Sequence, residues 1–390
     1  MNILVIGNGF DLAHGLPTKY TDFLEFAKTY EECYQKEIKG SDLMEPDSDI
    51  KRWIRKLFDL KYDYCDSIKY EEAKKMIDDL HSLIHDNFWI QYFLQCNMHI
   101  KENWIDFESE ISKVIQSLDD DMNLSISTHF SLEEKIQRIT NEFLKQEYID
   151  WFAKRTYKEL RDLLLDDLNK LIRALEIYLC EDVQKIDIKV ISPDIKDIVK
   201  QINPDTHTAL PAKVISFNYT NTFEKLYDKN KSIEYDYIHG KADISNTIES
   251  NNMVLGIDEY LSDDRKNKDI EFIAFKKFYQ RIFKGTGCKY KEWVEEIRKS
   301  KGLFKNSNGE WHNLYIFGHS LDVTDKDILR DLILNDNVHT TIYYHNKDAM
   351  GQQIANLVKV IGQDELIRRT GGSTRTIKFE PQKPMIPIDN

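Results

Sequence analysis

The feature that most constrains this chain is an apolar run, Ile3 to Ile6, that stops abruptly at Gly7-Asn8-Gly9-Phe10-Asp11. Four consecutive β-prone apolar residues read as a strand buried on both faces, as in a parallel sheet covered by helices. The glycines let the backbone turn sharply and approach a phosphate without Cβ collisions. The helix that follows would offer unpaired N–H groups to the anion. Asp11 is placed to take a ribose hydroxyl or to cap that helix. The full dinucleotide fingerprint wants a third glycine where Leu12 stands, so a plain strand-to-helix turn is the competing reading. No second strand with a ribose-binding acid follows. Tyr20, Phe23, Leu24, Phe26 and Ala27 instead continue as an amphipathic helix, and any nucleotide fold here is interrupted.

The 390 residues suffice for two or three domains, or for one domain carrying a large insertion. From Thr18 to about Val199 the period is helical, with segments at Tyr70 to Cys96, Trp104 to Leu118, Leu132 to Gln146 and Tyr157 to Leu179. After Pro211 strands alternate with helices: Lys213 to Phe217, Tyr235 to Ile238, a third at Asn252 to Gly256, then Leu314 to Gly318 and Val338 to Tyr344. A basic helical stretch runs from Ile270 to Lys301, and the chain beyond Gly371-Gly372 reads as an extended arm. The expected class is α/β: a doubly wound, mostly parallel Rossmann-like sheet with a large all-helical insertion after the first strand-helix unit. The expected division is residues 1–27 and 205–380 for the nucleotide-binding domain, 28–204 for the helical insertion and 381–390 for a tail.

Charge and cysteine usage narrow the partners. A formal net charge of −13 opposes non-specific attraction to phosphate backbones, so nucleic acid is not the expected partner. The basic residues Lys276, Lys277, Arg281, Lys284, Lys289 and Lys291 then read as a solvated helix face. The five cysteines are scattered and never form a CxxC pair, which argues for reduced thiols in a cytoplasmic protein and against a zinc ribbon. No apolar stretch is long enough to span a membrane, and no metal is expected. The many aromatics fit either a homo-oligomer interface or an internal helical core.

Three further strand ends carry polar groups where an open α/β sheet places its ligand crevice: Asn218-Tyr219-Thr220, His239-Gly240, and Gly318-His319-Ser320 with Asp322. At these residues the chain resembles a known family. "NILVIGNGFDLAHGLPTKYTDFL", "ISFNYTNTFE", "YIHGK" and "YIFGHSLDVTDKDIL" resemble motifs of AbiH-type bacteriophage abortive-infection proteins. The order of motifs is also similar, more distantly, to sirtuin-like NAD-consuming domains. That resemblance implies that Gly7, Asn8, Gly9 and Asp11 hold the nucleotide, that Asn218 lies against the nicotinamide ribose and that His239 acts as base. Gly318, Ser320 and Asp322 would line the adenosine half.

The implied activity is an antiphage effector that hydrolyses NAD or a related nucleotide at the N-glycosidic bond, after a phage-derived trigger. The alternatives are a nucleotide-binding sensor or scaffold, and a metal-dependent nuclease built on Asp11, Asp106, Glu108 and Glu224. Asn103 with Asp106 reads as a near capping box. Glu224 matches a recurrent acid but also suits a surface helix, and for His14 loop packing rivals a site role.

Overall fold

The computed structural model describes residues 1–39, 49–61, 67–99, 106–124, 156–202, 213–300, 311–373 and 375–388. The chain divides into two compact units: Met1–Pro17 with Ile186–Lys241 and Lys284–Asn390, and Thr18–Lys185 with Ala242–Phe283.

The first unit is built on a parallel sheet. Its strands are β1 (Asn2–Ile6), β3 (Lys213–Ser216), β4 (Glu234–Tyr237), β5 (His312–Phe317), β6 (Val338–Tyr344) and β7 (Ile377–Pro381). They lie in the order β4-β3-β1-β5-β6-β7. Every pairing is parallel. Counted along the chain, these six strands stand third, second, first, fourth, fifth and sixth, the order of the dinucleotide-binding fold. A two-residue strand β2 (Val190–Ile191) pairs antiparallel with β8 (Ile386–Pro387).

The register explains why β1 is central. Val5 lies between Ile215 and Ile316, and Ile6 between Ser216 and Phe317. Alternation along β1 sends Ile3 and Val5 to one face, where they meet the helices Tyr290–Ser300, Lys326–Ile333 and Lys347–Ile361 through Trp293, Leu329 and Leu357. Leu4 and Ile6 face the other way, against Ile195 and Ile198 of helix Pro193–Ile202 and Phe223 of helix Thr222–Tyr227. Helices therefore cover both faces, as the near-continuous apolar strands require.

The chain beyond Gly372 is not simply an extended arm, because Ile377–Pro381 adds the sixth strand beside β6. The buried Arg369 secures the approach to it, donating to Glu365, Thr376 and the carbonyl of Leu334.

The second unit contains helices Tyr20–Ile38, Asp49–Leu60, Ser67–Ile84, Phe88–His99, Phe107–Leu124 and Tyr157–Glu181. The single helix expected over Tyr70 to Cys96 is broken at Asp86, whose φ is 55°, and Asn87 caps the next helix by accepting from the N–H of Ile90. Its aromatics pack inward: Phe107 stacks on Tyr20 at 4.2 Å and on Phe93 at 4.0 Å.

This unit is not the all-helical insertion expected. It also holds the largely irregular segment Ala242–Phe283, tied down by the fully buried Glu176, which accepts from the N–H of Asp243 and the amides of Asn246 and Asn251. Asn252 to Gly256 is not a strand; a lone bridge from Ile257 to Lys276 follows it. Lys276, Lys277 and Arg281 do not form a solvated face either. All three are buried, with Lys276 paired to Glu259 and Lys277 to Glu108. The helix expected at Leu132 to Gln146 lies outside the described residues.

Gly318 offers a direct test of the packing. Its φ is +68°, and a Cβ there would stand 2.1 Å from the Phe10 nitrogen. Gly318→Ala is expected to lower the unfolding free energy by more than about 3 kcal/mol, since backbone strain adds to an unrelieved clash. Gly351→Ala, in a helix and with nothing within 4 Å, should leave stability unchanged or raise it by up to about 1 kcal/mol. Denaturant melts of the two variants check this, and an unshifted Gly318→Ala midpoint would refute the packing described.

Candidate functional site

All six strands of the main sheet end on the same edge, and the order reverses between β1 and β5. That switch point is where doubly wound sheets leave a crevice for ligands. Here the two strand ends are locked to each other. The Gly9 amide donates to the Gly318 carbonyl at 2.8 Å and the Gly7 amide to the Phe317 carbonyl at 3.3 Å. A Cβ on Gly7 would lie 2.8 Å from the His319 Cα, and one on Gly9 2.8 Å from the Gly318 oxygen. The glycines are thus explained by the close approach of two backbone turns, and the Gly9 N–H is committed to a carbonyl.

Two buried polar groups flank this contact. In the first, Thr220 Oγ1 donates to Asp11 Oδ2 at 2.6 Å, and Thr222 Oγ1 donates to Thr220 Oγ1 at 3.1 Å. Asp11 is 1 % exposed, and burial pushes its carboxyl up to about 6 against the opposing pull of Thr220, Thr222 and Asn218. Asn218 stands near enough to favour the charged carboxylate, yet neither of its amide atoms completes a hydrogen bond, and Asp11 Oδ1 has no partner. Asn218 is 5 % exposed. Its backbone is set by Ser216, whose hydroxyl accepts from the Asn218 N–H and donates to its carbonyl.

In the second group, Asp325 stands between two imidazoles. His239 Nε2 lies 3.2 Å from its Oδ1, and His319 Nε2 3.5 Å from its Oδ2. All three residues are buried. His319 Nδ1 accepts from the N–H of Leu321 at 2.9 Å, which in the neutral ring leaves the proton on Nε2, facing the carboxylate. Leu321, buried and held at φ 60°, turns the chain back to make that bond possible. Phe217, next to Asn218, stands edge-on to both rings, 4.3 Å from His319 and 5.4 Å from His239. From helix Lys347–Ile361, Gln353 donates to the His319 carbonyl and Asn356 to that of Ser320, fixing the loop from behind.

The expected residues divide accordingly. Asp11 and Asn218 come together, and His239 enters the second group. Ser320 is exposed, and Asp322 caps a short helical turn by accepting from the Thr324 N–H. The inward-facing groups of that loop are His319, expected only as part of the Gly318-His319-Ser320 turn and without a role, and Asp325, which no motif singled out. His14 is a packing residue: its Nδ1–H donates to the Phe10 carbonyl and its Nε2 accepts from Tyr227, with burial lowering its pKa.

The other carboxylates have their own partners. Glu224 accepts from Tyr237 and Lys241, and Glu108 pairs with Lys277. Asp106 caps its helix by accepting from the Glu108 N–H, a role expected of Asn103, which lies outside the described residues. Two open concavities lie away from these groups. One, of about 890 Å³, is in the second unit beside Trp53 and Met76. The other, of about 760 Å³, is in the first unit beside Tyr315 and His339.

The family model described as bacteriophage abortive infection AbiH matches residues 3–345. The chain belongs to the AbiH family. No curated protein matches it. The AbiH match begins in β1 and ends just past β6, so it takes in every strand end that contributes to the two polar groups. Among the described residues of this AbiH chain, no helix is long and apolar enough to cross a membrane.

Asp11 supplies a pH test of the site. Its folded-state pKa lies above its unfolded value, so the carboxyl carries no penalty below about pH 4 and weakens the fold as pH rises through about 6. Asp11→Asn is therefore expected to raise the unfolding free energy at neutral pH by about 1–3 kcal/mol, with the gain vanishing near pH 4. Equal destabilisation of the variant at both pH values would contradict the assignment.

Proposed function

We propose that this AbiH protein is a cytoplasmic antiphage effector that binds NAD or a related nucleotide at the strand ends and hydrolyses its N-glycosidic bond when a phage-derived trigger is sensed. The observation that carries the reading is the pair of buried polar groups at the switch point of a sheet in dinucleotide-binding order. One has unpartnered amide and carboxylate atoms, and the other is a histidine–aspartate–histidine set. Unmet buried polar atoms are costly, and a ligand that pairs with them offsets that cost.

In this reading the Asn218 amide holds a ribose hydroxyl or the attacking water. The water oxygen bonds to the anomeric carbon as the bond to the nicotinamide nitrogen breaks, and the electron pair leaves with a neutral nicotinamide. His239 takes the proton, and Asp325 stabilises the imidazolium that results. Asp11, with the Thr220 and Thr222 hydroxyls, orients the ribose side. Gly7 and Gly9 act by shaping the turn, since the Gly9 amide is already spent on Gly318. The residues of both groups are nearly inaccessible, so the nucleotide enters as the strand-end loops open locally, and the trigger acts on the chemical step rather than on binding.

The test is made in cells, where the trigger is present. Wild-type protein is expected to protect against phage and to deplete NAD on infection. His239→Ala, Asn218→Ala and Asp325→Asn, checked for normal abundance, should each cut the depletion rate at least about 100-fold and abolish protection. Protection that survives all three substitutions would sink the catalytic reading. Protection lost without any change in NAD would redirect it to a non-catalytic sensor.

A further inference from the structure

We propose that Glu31, His81 and His85, in the second unit, form a binding site for a divalent transition-metal ion of the zinc class. Helix Ser67–Ile84 ends at these histidines, and the His85 N–H still bonds to the His81 carbonyl at 2.9 Å. The helical turn therefore continues through His85, and the four-residue spacing puts both rings on one face. They lie face to face with centroids 4.5 Å apart. Glu31 reaches them from helix Tyr20–Ile38, with its Oε1 2.9 Å from His85 Nδ1. One donor atom from each of the three residues lies within 4.8 Å of the others. A modest contraction brings such a triangle around an ion with ligand bonds of about 2.0–2.2 Å.

Two orphaned atoms belong to the same cluster. Glu31 Oε2 and His81 Nδ1 are buried and have no hydrogen-bond partner. A cation would satisfy both at once, whereas a proton shared by His85 and Glu31 satisfies neither. The surroundings already orient the ligands. Tyr34 stacks on His81 at 3.9 Å and 14°, and Asp86 Oδ2 lies 3.6 Å from His85 Nε2, the place of an outer carboxylate supporting a ligating imidazole.

Two imidazoles and a carboxylate select zinc, cobalt, nickel or ferrous iron over magnesium and calcium, which prefer oxygen throughout. No cysteine pair marks this site in the sequence. Here the ligands come from two helices about fifty residues apart. The ion would clamp helix Tyr20–Ile38 to the end of helix Ser67–Ile84.

The experiment uses the full chain, stripped with chelator and titrated with Zn²⁺ against a chromophoric competitor, with Co²⁺ as a spectroscopic probe and Mg²⁺ as control. Expected are one equivalent of bound Zn²⁺, a visible Co²⁺ spectrum and a melting temperature raised by Zn²⁺ but not by Mg²⁺. Affinity should fall at least about tenfold in His81→Ala, His85→Ala and the near-isosteric Glu31→Gln. The absence of a Zn²⁺-dependent rise in melting temperature in the wild-type protein would overturn the proposal. So would Zn²⁺ affinity left unchanged by Glu31→Gln and whichever histidine variant folds.

Discussion

The first unit depends on one backbone contact, the approach of Gly9 to Gly318 across the ends of β1 and β5. Parallel strands bring their carboxyl ends to one edge, but they do not by themselves bring two loops together. Glycine at both turns allows a carbonyl and an amide to meet at 2.8 Å where any side chain would intervene. From that contact the helix Asn8–Ala13 carries Asp11 inward. The second loop, reversing at Leu321, presents His319 to Asp325. The polar groups on either side are consequences of a junction that the backbone makes.

Buried charge is handled in two ways in this protein. Asp228 accepts from the N–H groups of Ser232 and Ile233 and from the Tyr235 hydroxyl, and Glu176 is likewise fully engaged. Such groups fix a loop and have nothing left to offer a ligand. Asp11 and Asn218 differ, because Asp11 Oδ1 and both Asn218 amide atoms have no hydrogen-bond partner and burial pushes the Asp11 carboxyl up to about 6. That arrangement costs stability, and it is the observation on which the proposed function rests. Asp325 likewise stands buried between two imidazoles, those of His239 and His319. Zinc-class binding at Glu31, His81 and His85 would follow the same logic in the second unit.

Much of the sheet was legible in the sequence because buried parallel strands announce themselves as apolar runs. Ile3 to Ile6, Lys213 to Phe217, Leu314 to Gly318 and Val338 to Tyr344 are of this kind. The edge strand Ile377–Pro381 was not, since Lys378 and Glu380 alternate with its apolar residues. Asn252 to Gly256 misled in the opposite sense, its apolar residues being buried in irregular chain. At the site, Asn218 and His239 stood out by their position after strands. Asp325 did not, because Asp322 offered the nearer carboxylate and the positive φ of Leu321, which turns the loop inward, leaves no trace in residue type. Lys276 and Lys277 looked like surface charges because their partners, Glu259 and Glu108, are distant along the chain.

The most direct measurement is amide hydrogen exchange of the purified protein with and without saturating NAD. A ligand seated at the switch point should slow exchange together in Gly7–Asp11, Phe217–Thr222, His239–Gly240 and Gly318–Asp325, because it pairs with groups on all four strand ends and holds the two glycine turns closed. Exchange unchanged in these four segments would contradict the central claim that the strand ends form one nucleotide site.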